Sequence, residues 1–101
     1  MDSEQEWTVD FSHKATRQVA RLRKERPKIY ARAAALAKEI EVKGPYRTNW
    51  DSYGPLSGQA DTYHCHIKNG RPTYVACWRV EDKKVKIVEV YYVGTHEGSP
   101  Y

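Results

Sequence analysis

The sequence lacks the features that mark membrane and secreted proteins. It contains no apolar run near the roughly 20 residues that a membrane-spanning helix requires. Residues 1–6 are acidic and polar, which is unlike a secretory signal sequence. It has only two cysteines, Cys65 and Cys77. We therefore expect a cytoplasmic protein, in a reducing compartment where a disulfide between these two residues does not form.

Acidic residues are scarce in one stretch of the chain. The formal net charge of the 101 residues is +4, and between positions 14 and 32 the only acid is Glu25. The bases of this stretch are Lys14, Arg17, Arg21, Arg23, Lys24, Arg26, Lys28 and Arg32. They form either an ordinary solvated helix surface or a patch that attracts a phosphate backbone or an acidic protein segment.

The first half of the sequence predicts one strand and two helices. Alternating apolar residues at 7, 9 and 11 predict a half-buried strand, and Ser12 suits the N-cap of a helix over roughly 12–24. Pro27 fits the first turn of a second helix, whose apolar residues recur at intervals of four and three until Gly44 ends it. Residues 44–58 are punctuated by glycine and proline, and this predicts a loop that its aromatic residues order.

The second half predicts three strands, over residues 63–67, 73–80 and 84–93, because these segments are rich in Val, Ile, Tyr and Trp. Asn69-Gly70 indicates a two-residue hairpin turn between the first two. The expected fold is therefore α+β: a single domain over residues 1–101, in which two N-terminal helices pack on one face of a small, mainly antiparallel sheet in the order β-α-α-β-β-β.

In the predicted hairpin, alternate side chains of the two strands lie on opposite faces of the sheet. A turn at Asn69-Gly70 sets His66 opposite Thr73 and His64 opposite Val75, and side chains alternate with period two. The exposed face then carries His64, His66, Thr73, Val75, Cys77 and Arg79. The buried face carries Tyr63, Cys65, Ile67, Tyr74, Ala76, Trp78 and Val80. Because Cys65 and Cys77 lie on opposite faces, the geometry also excludes a bond between them.

The exposed face gathers a chemically distinctive set of residues. The last strand delivers His96 and Glu97 near His64 and His66, with Tyr101 at the end of the chain. Three interpretations remain: surface histidines placed by chance, a zinc site of three imidazoles, or metal-free acid–base chemistry on RNA. Glu97 is the only obvious carboxylate to orient zinc-bound imidazoles. Imidazoles titrate near neutral pH, so they can serve as base or acid for attack by a ribose 2′-hydroxyl.

The order and spacing of several segments resemble the toxins of the RelE/ParE superfamily, and within it the RelE-like mRNA endonucleases. The resemblance covers nearly the whole chain and rests on W-x-V-x-F-S at 7–12, the two helices, Leu56-Ser57-Gly58, Tyr63-His64-Cys65-His66-Ile67, the strand at 74–80, Glu81-Asp82-Lys83 and Val93-Gly94-Thr95-His96-Glu97. It implies a toxin that enters the ribosomal A site and cuts mRNA there without metal or cofactor.

The resemblance also implies roles for individual residues. His64 and His66 stand where some relatives have lysine, His96 where some have arginine, and Tyr101 where relatives have a terminal tyrosine. The third-strand arginine of the family falls at Val75 in this sequence, so Arg71 or Arg79 would have to replace it. The expected catalytic set is His64, His66, Arg79, His96 and Tyr101, and the expected RNA-binding set is Lys68, Arg71, Arg17, Arg21, Arg23 and Lys24.

Partners follow from the same resemblance. Such toxins bind a cognate antitoxin, act on the ribosome with its bound mRNA, and contact operator DNA only as the toxin–antitoxin complex; no membrane is involved. The basic helices could serve ribosomal RNA or the antitoxin. The main alternative is a ParE-like toxin that inhibits DNA gyrase and has no nuclease activity, and a weaker alternative is a zinc-dependent hydrolase.

Overall fold

The computed structural model describes residues 6–101 and confirms the α+β fold. Most of the acidic amino-terminal segment that is unlike a secretory signal, residues 1–5, lies outside the described residues. The elements in chain order are β1 (Thr8–Phe11), α1 (His13–Glu25), α2 (Pro27–Lys43), β2 (Gly54–Pro55), β3 (Thr62–Lys68), β4 (Tyr74–Asp82) and β5 (Ile87–Thr95). The sheet order is β1-β5-β4-β3-β2, and only the pairing of β1 with β5 is parallel. Within residues 6–101, no helix is both long and apolar enough to cross a membrane.

Local sequence signals explain both helices. The Ser12 side chain accepts a hydrogen bond from the backbone N–H of Ala15 at 3.1 Å, which caps α1 as predicted. The chain leaves helical geometry at Arg26, as expected for a residue that precedes proline, and Pro27 opens α2. Gly44 ends α2 with a φ of 99°, in the left-handed region that favours glycine.

The main core lies between the helices and one sheet face. Its buried residues from α2 recur at helical spacing, and those from the sheet come from alternating positions of the strands: Ile29, Ala33, Leu36 and Ile40, then Cys65, Ile67, Ala76, Trp78, Val88 and Val90. The indole of Trp78 is fully buried and donates a hydrogen bond to the carbonyl of Pro45 at 3.0 Å. The segment after α2 is thereby tied to the sheet.

The predicted register between β3 and β4 is wrong by two residues. His66 pairs with Val75 rather than Thr73, and the connection runs over residues 69–73 instead of a two-residue turn. Pro72 has no N–H to donate, so it cannot take part in a ladder at this point. A shift of two residues preserves the alternation, and the predicted assignment of side chains to faces is therefore retained.

The predicted loop at 44–58 also contains the short edge strand β2, which pairs with β3. The face away from the helices is partly covered, because Val75, Cys77 and Tyr92 form a second, smaller buried cluster. Tyr91 packs against this cluster where the β4–β5 register shifts. Cys77 belongs to this cluster and Cys65 to the main core; both are free, as the face assignment predicted.

Candidate active site

Strand β3 carries His64 and His66 on the face away from the helices, one on each side of the buried Cys65. The ring of Tyr101 lies beside two histidines, with centroid distances of 4.5 Å to His64 and 5.4 Å to His96. His96 is in turn 5.7 Å from His66, and the two rings are nearly perpendicular. The structure therefore brings together four of the predicted catalytic residues, His64, His66, His96 and Tyr101, which we call the histidine cluster.

Backbone bonds after β5 place the end of the chain over the sheet. The N–H of His96 donates to the carbonyl of Thr73 at 2.8 Å, which holds the segment after β5 beside the 69–73 connection. The hydroxyl of Ser99 then donates to the carbonyl of His96 at 2.7 Å, closing a turn. This turn directs Tyr101 back across the sheet face to His64.

An open pocket of about 630 Å³ lies beside the cluster. Its lining is made of His66, Gly70, Arg71, Pro72, Thr73, His96 and Glu97. The volume lies within the range of small-molecule sites, and the exposed Arg71 lines the pocket together with two histidines. Such a lining suits an anionic ligand that undergoes proton transfer.

His64 is the histidine whose environment differs most from water. Burial lowers the pKa of His64, and the nearby His66 and His96 lower it further because they disfavour a second positive charge. Its Nδ1 is buried and makes no hydrogen bond to any residue of the described part of the chain. His64 is therefore neutral at physiological pH and can accept a proton.

The orientation of His66 is set by two residues that the sequence did not indicate as functional. Its Nδ1 lies 2.7 Å from Oδ1 of Asn69, and Nδ2 of Asn69 donates to Oδ2 of Asp51 at 2.7 Å. The sequence pattern identifies Asn69 only as a turn residue. Asp51 lies in a loop without periodicity, so no sequence signal indicates that it approaches His66.

Tyr101 is only partly buried, with 40% of its surface exposed. Burial raises the pKa of Tyr101 to about 12, with smaller contributions from nearby cysteines and tyrosines such as Cys77 and Tyr91. The phenol therefore stays protonated over the physiological range. It can donate a hydrogen bond or stack on a base, but it does not act as a phenolate.

The two candidate arginines occupy different environments. Arg71 lines the pocket together with His66 and His96. Arg79 lies on β4 with its Nε 3.4 Å from carboxylate oxygens of both Glu81 and Glu89. Its guanidinium also covers the ring of Tyr91 at 4.1 Å. Arg71 thus lines the pocket, whereas the charge of Arg79 is matched by two acids.

The predicted RNA-binding bases of α1 do not join this cluster. Arg17, Arg21, Arg23 and Lys24 are all exposed, and α1 packs against the opposite face of the sheet. Arg21 lies 3.6 Å from Glu25, and such an exposed pair leaves its charge available. Lys68 is exposed near the pocket, where its ammonium donates to the carbonyl of Asn69 at 3.2 Å.

The zinc interpretation depends on the arrangement of possible ligands. Over residues 6–101, no three His, Cys, Asp or Glu side chains are grouped so that they could hold one metal ion. The histidines meet instead through ring contacts with one another and with Tyr101.

Comparison with known proteins gives matches in structure alone. No protein-family model and no curated protein sequence matches the chain. The YoeB dimer from Staphylococcus aureus superposes with a TM-score of 0.73 at 16% identity, over 90% of this chain and 98% of that one. A YoeB/ParE toxin from Agrobacterium tumefaciens has a TM-score of 0.69 at 14% identity, over 88% of this chain and 98% of that one. The YoeB–YefM complex from S. aureus also has a TM-score of 0.69, at 16% identity, over 89% of this chain and 97% of that one.

These similarities span almost the full length of both chains. At such identities they establish the fold alone. The chain has the fold of the YoeB/ParE-type toxins. The α+β fold that the sequence resemblance implied is thereby confirmed.

Proposed function

We propose that this chain is the toxin of a toxin–antitoxin pair and that it cleaves mRNA in the ribosomal A site without metal. The observation that carries the proposal is the convergence of three histidines and Tyr101 beside a pocket lined by Arg71. The fold shared with YoeB/ParE-type toxins supports it, and the YoeB–YefM structure is that of a complex, which supports an antitoxin partner. We place the protein in the cytoplasm, where its substrate is found.

In the proposed reaction, the ribose 2′-oxygen attacks the adjacent phosphorus. A base removes the 2′-hydroxyl proton, the bond to the 5′-oxygen breaks, and an acid gives that oxygen a proton. The products are a 2′,3′-cyclic phosphate and a 5′-hydroxyl. We assign the base to His64, because its lowered pKa keeps it neutral and ready to accept a proton.

The acid is assigned to the pair formed by His66 and His96, which line the pocket. A protonated imidazole can give its proton to the departing oxygen near neutral pH. Because Tyr101 keeps its phenolic proton, its role is to stack on a base of the message or to donate a hydrogen bond, not to remove a proton.

Charge on the phosphate increases during the attack, and it needs a cation beside the pocket. We assign this role to Arg71, since two carboxylates already match the charge of Arg79. Substitution Arg71→Gln is expected to reduce cleavage about 100-fold or more, and Arg79→Gln is expected to reduce it much less. An equal loss in both variants would restore Arg79 to the catalytic set.

The ribosome is proposed to hold the message in place. The cluster lies on an open sheet face, and the exposed bases of α1 offer a separate surface for ribosomal RNA. We therefore expect efficient cleavage in translating ribosomes and weak or no cleavage of naked RNA. Comparable rates on the two substrates would show that the protein organises the RNA alone.

The test is primer extension on mRNA from cells that express the chain, followed by the same assay on purified translating ribosomes. In-frame cuts within translated codons are expected, and His64→Ala should reduce cleavage by about 100-fold or more. The matched control is His13→Ala, because His13 stands at the exposed start of α1, away from the cluster.

The pH dependence of cleavage gives a further check. The rate should fall in acid only at pH values below the ordinary pKa of histidine, because the pKa of His64 is lowered and the base must be neutral to act.

The second candidate is inhibition of DNA gyrase, since one similar structure is described as a YoeB/ParE toxin. Growth arrest with intact mRNA and inhibited supercoiling by purified gyrase would favour this function. Cleaved mRNA with normal supercoiling would favour the nuclease.

A further inference from the structure

Three hydrogen bonds join Asp51, Asn69 and His66 into a closed ring. The backbone N–H of His66 donates to the carbonyl of Asp51 at 2.7 Å. The side-chain amide of Asn69 donates to the carboxylate of Asp51 at 2.7 Å, and its oxygen lies 2.7 Å from Nδ1 of His66. The carboxylate, the amide and the imidazole are thus linked in one hydrogen-bonded arrangement.

This ring determines where the imidazole carries its proton. A carboxylate only accepts hydrogen bonds, so Asp51 requires the NH₂ group of Asn69 to face it. The amide oxygen, which is also only an acceptor, must then face His66. Nδ1 of His66 therefore donates and carries a proton in both the neutral and the charged ring.

The fixed proton has a consequence for the other ring nitrogen. With Nδ1 committed to Asn69, Nε2 is the nitrogen of His66 that can exchange a proton with a bound ligand. A neutral imidazole in water prefers to carry its proton on Nε2, so the arrangement opposes the intrinsic preference. His64 has no comparable partner, because its buried Nδ1 makes no hydrogen bond to residues 6–101.

The loop that carries Asp51 is itself anchored to the body of the protein. The neighbouring Trp50 donates from its indole N–H to Oε1 of Glu39 at 3.0 Å, and Glu39 belongs to α2. The guanidinium of Arg32 lies 5.5 Å from the centroid of the Trp50 ring and covers it. The loop is thereby held where it brings the carboxylate of Asp51 beside β3.

We propose that Asn69 and Asp51 are positioning residues that hold His66 in the Nδ1–H tautomer, so that its Nε2 is presented for proton transfer. The role in catalysis rests on the proposed nuclease function, whereas the tautomer is a property of the protein alone. The two parts can therefore be tested separately.

The tautomer is measured by imidazole nitrogen NMR on the full chain without ribosomes. We expect His66 to carry its neutral-state proton on Nδ1 in the natural protein and mainly on Nε2 in Asn69→Ala. The matched control is Asn49→Ala, which removes a hydrogen bond to Glu39 from the same loop without touching His66. An unchanged tautomer in Asn69→Ala would overturn the proposal.

A double substitution distinguishes loss of the hydrogen bond to His66 from a general disturbance of the loop by Asn69→Ala. Asp51→Asn combined with Asn69→Asp exchanges the amide and the carboxylate, so that Oδ of residue 69 can accept from both neighbours. This pair should restore the Nδ1–H tautomer. It should also restore kcat on translating ribosomes, which we expect Asn69→Ala to lower about tenfold with little change in KM; such a loss corresponds to roughly 1.4 kcal/mol.

The outcomes separate the two hypotheses. A changed tautomer with cleavage as fast as in Asn49→Ala would overturn the positioning role. A natural protein that shows the Nδ1–H tautomer but cuts no message on the ribosome would overturn the proposed function, and with it the catalytic role, while the hydrogen-bond ring would stand.

Discussion

Replacement of Glu39 by alanine tests the structural basis of the site at a distance from the histidines. One carboxylate oxygen of Glu39 accepts hydrogen bonds at 3.0 Å from each of Arg47, Asn49 and Trp50. These three residues form the first part of the loop that leads to Asp51. The variant therefore removes the acceptor that ties this loop to α2.

The expected cost follows from the exposure of the donors. The side chain of Arg47 is only 12% exposed, so the variant leaves a poorly solvated cation without its partner. Asn49 is exposed and regains water. Loss of the two less exposed hydrogen bonds, those from Arg47 and Trp50, should lower the free energy of unfolding by about 2 kcal/mol. For a domain of this size each kcal/mol lowers Tm by roughly 4–8 °C.

Thermal denaturation of matched variants measures this effect. Glu41→Ala is the control, because Glu41 pairs with Lys38 at 3.1 Å in an exposed contact whose two side chains are 41% and 69% exposed. We expect the control to cost less than about 0.5 kcal/mol. Glu39→Gln keeps a neutral acceptor, so its loss of Tm should lie between those of Glu39→Ala and Glu41→Ala. Equal Tm losses in Glu39→Ala and Glu41→Ala would refute the reasoning.

The pH dependence gives a second check on Glu39. Hydrogen bonds from Asn49 and then Trp50 lower the pKa of Glu39 below its ordinary value, against the opposing effect of burial. A carboxyl group with a lowered folded-state pKa contributes stability above its unfolded-state pKa and loses it as pH falls through the folded value. The Tm difference between the natural protein and Glu39→Ala should shrink in acid. A difference that stays constant would contradict this assignment.

Three further predictions concern the proposed activity. Because proton transfer alone is invoked, EDTA should leave ribosome-bound cleavage unchanged, and loss of activity that zinc restores would contradict this. Reversal of charge at Arg17, Arg21 and Arg23 should weaken ribosome association and lower its salt dependence by about one unit for each phosphate that the variant no longer binds; unchanged binding at every salt concentration would assign these bases to the antitoxin or to solvent. Deletion of Tyr101 should reduce cleavage about tenfold or more, since base stacking contributes about 1–3 kcal/mol, with little change in Tm. Tyr101→Phe should retain most activity if stacking dominates, and a deletion as active as the natural chain would remove Tyr101 from the site.

The fold and the composition of the histidine cluster could be predicted because each depends on a periodic signal. Apolar spacing defined both helices, and Ser12 and Pro27 defined their starts. The alternation of His64, Cys65 and His66 fixed which side chains share a face. This alternation survives the register error, because a shift by two residues returns every side chain to the same face.

The error itself came from a conflict between two local signals. Asn69-Gly70 favours a two-residue hairpin, but Pro72 two positions later has no N–H for the ladder that such a hairpin would require. The observed connection runs over residues 69–73, and Asn69 is not at a position with positive φ. The Asn69 side chain joins Asp51 and His66.

The remaining features depend on contacts between residues far apart in the sequence. Arg79 is matched by Glu89 from the next strand, and Asp51 approaches a histidine fifteen positions later through an irregular loop. Arg79 and Glu89 are partners in the β4–β5 ladder, whose register shifts on both sides of this pair, whereas the approach of Asp51 is set by the packing of the loop beside β3. The residues proposed to transfer protons were thus visible in the pattern of the strands, whereas the hydrogen bonds that join Asn69 and Asp51 to His66 became visible only when the loop was placed beside the sheet.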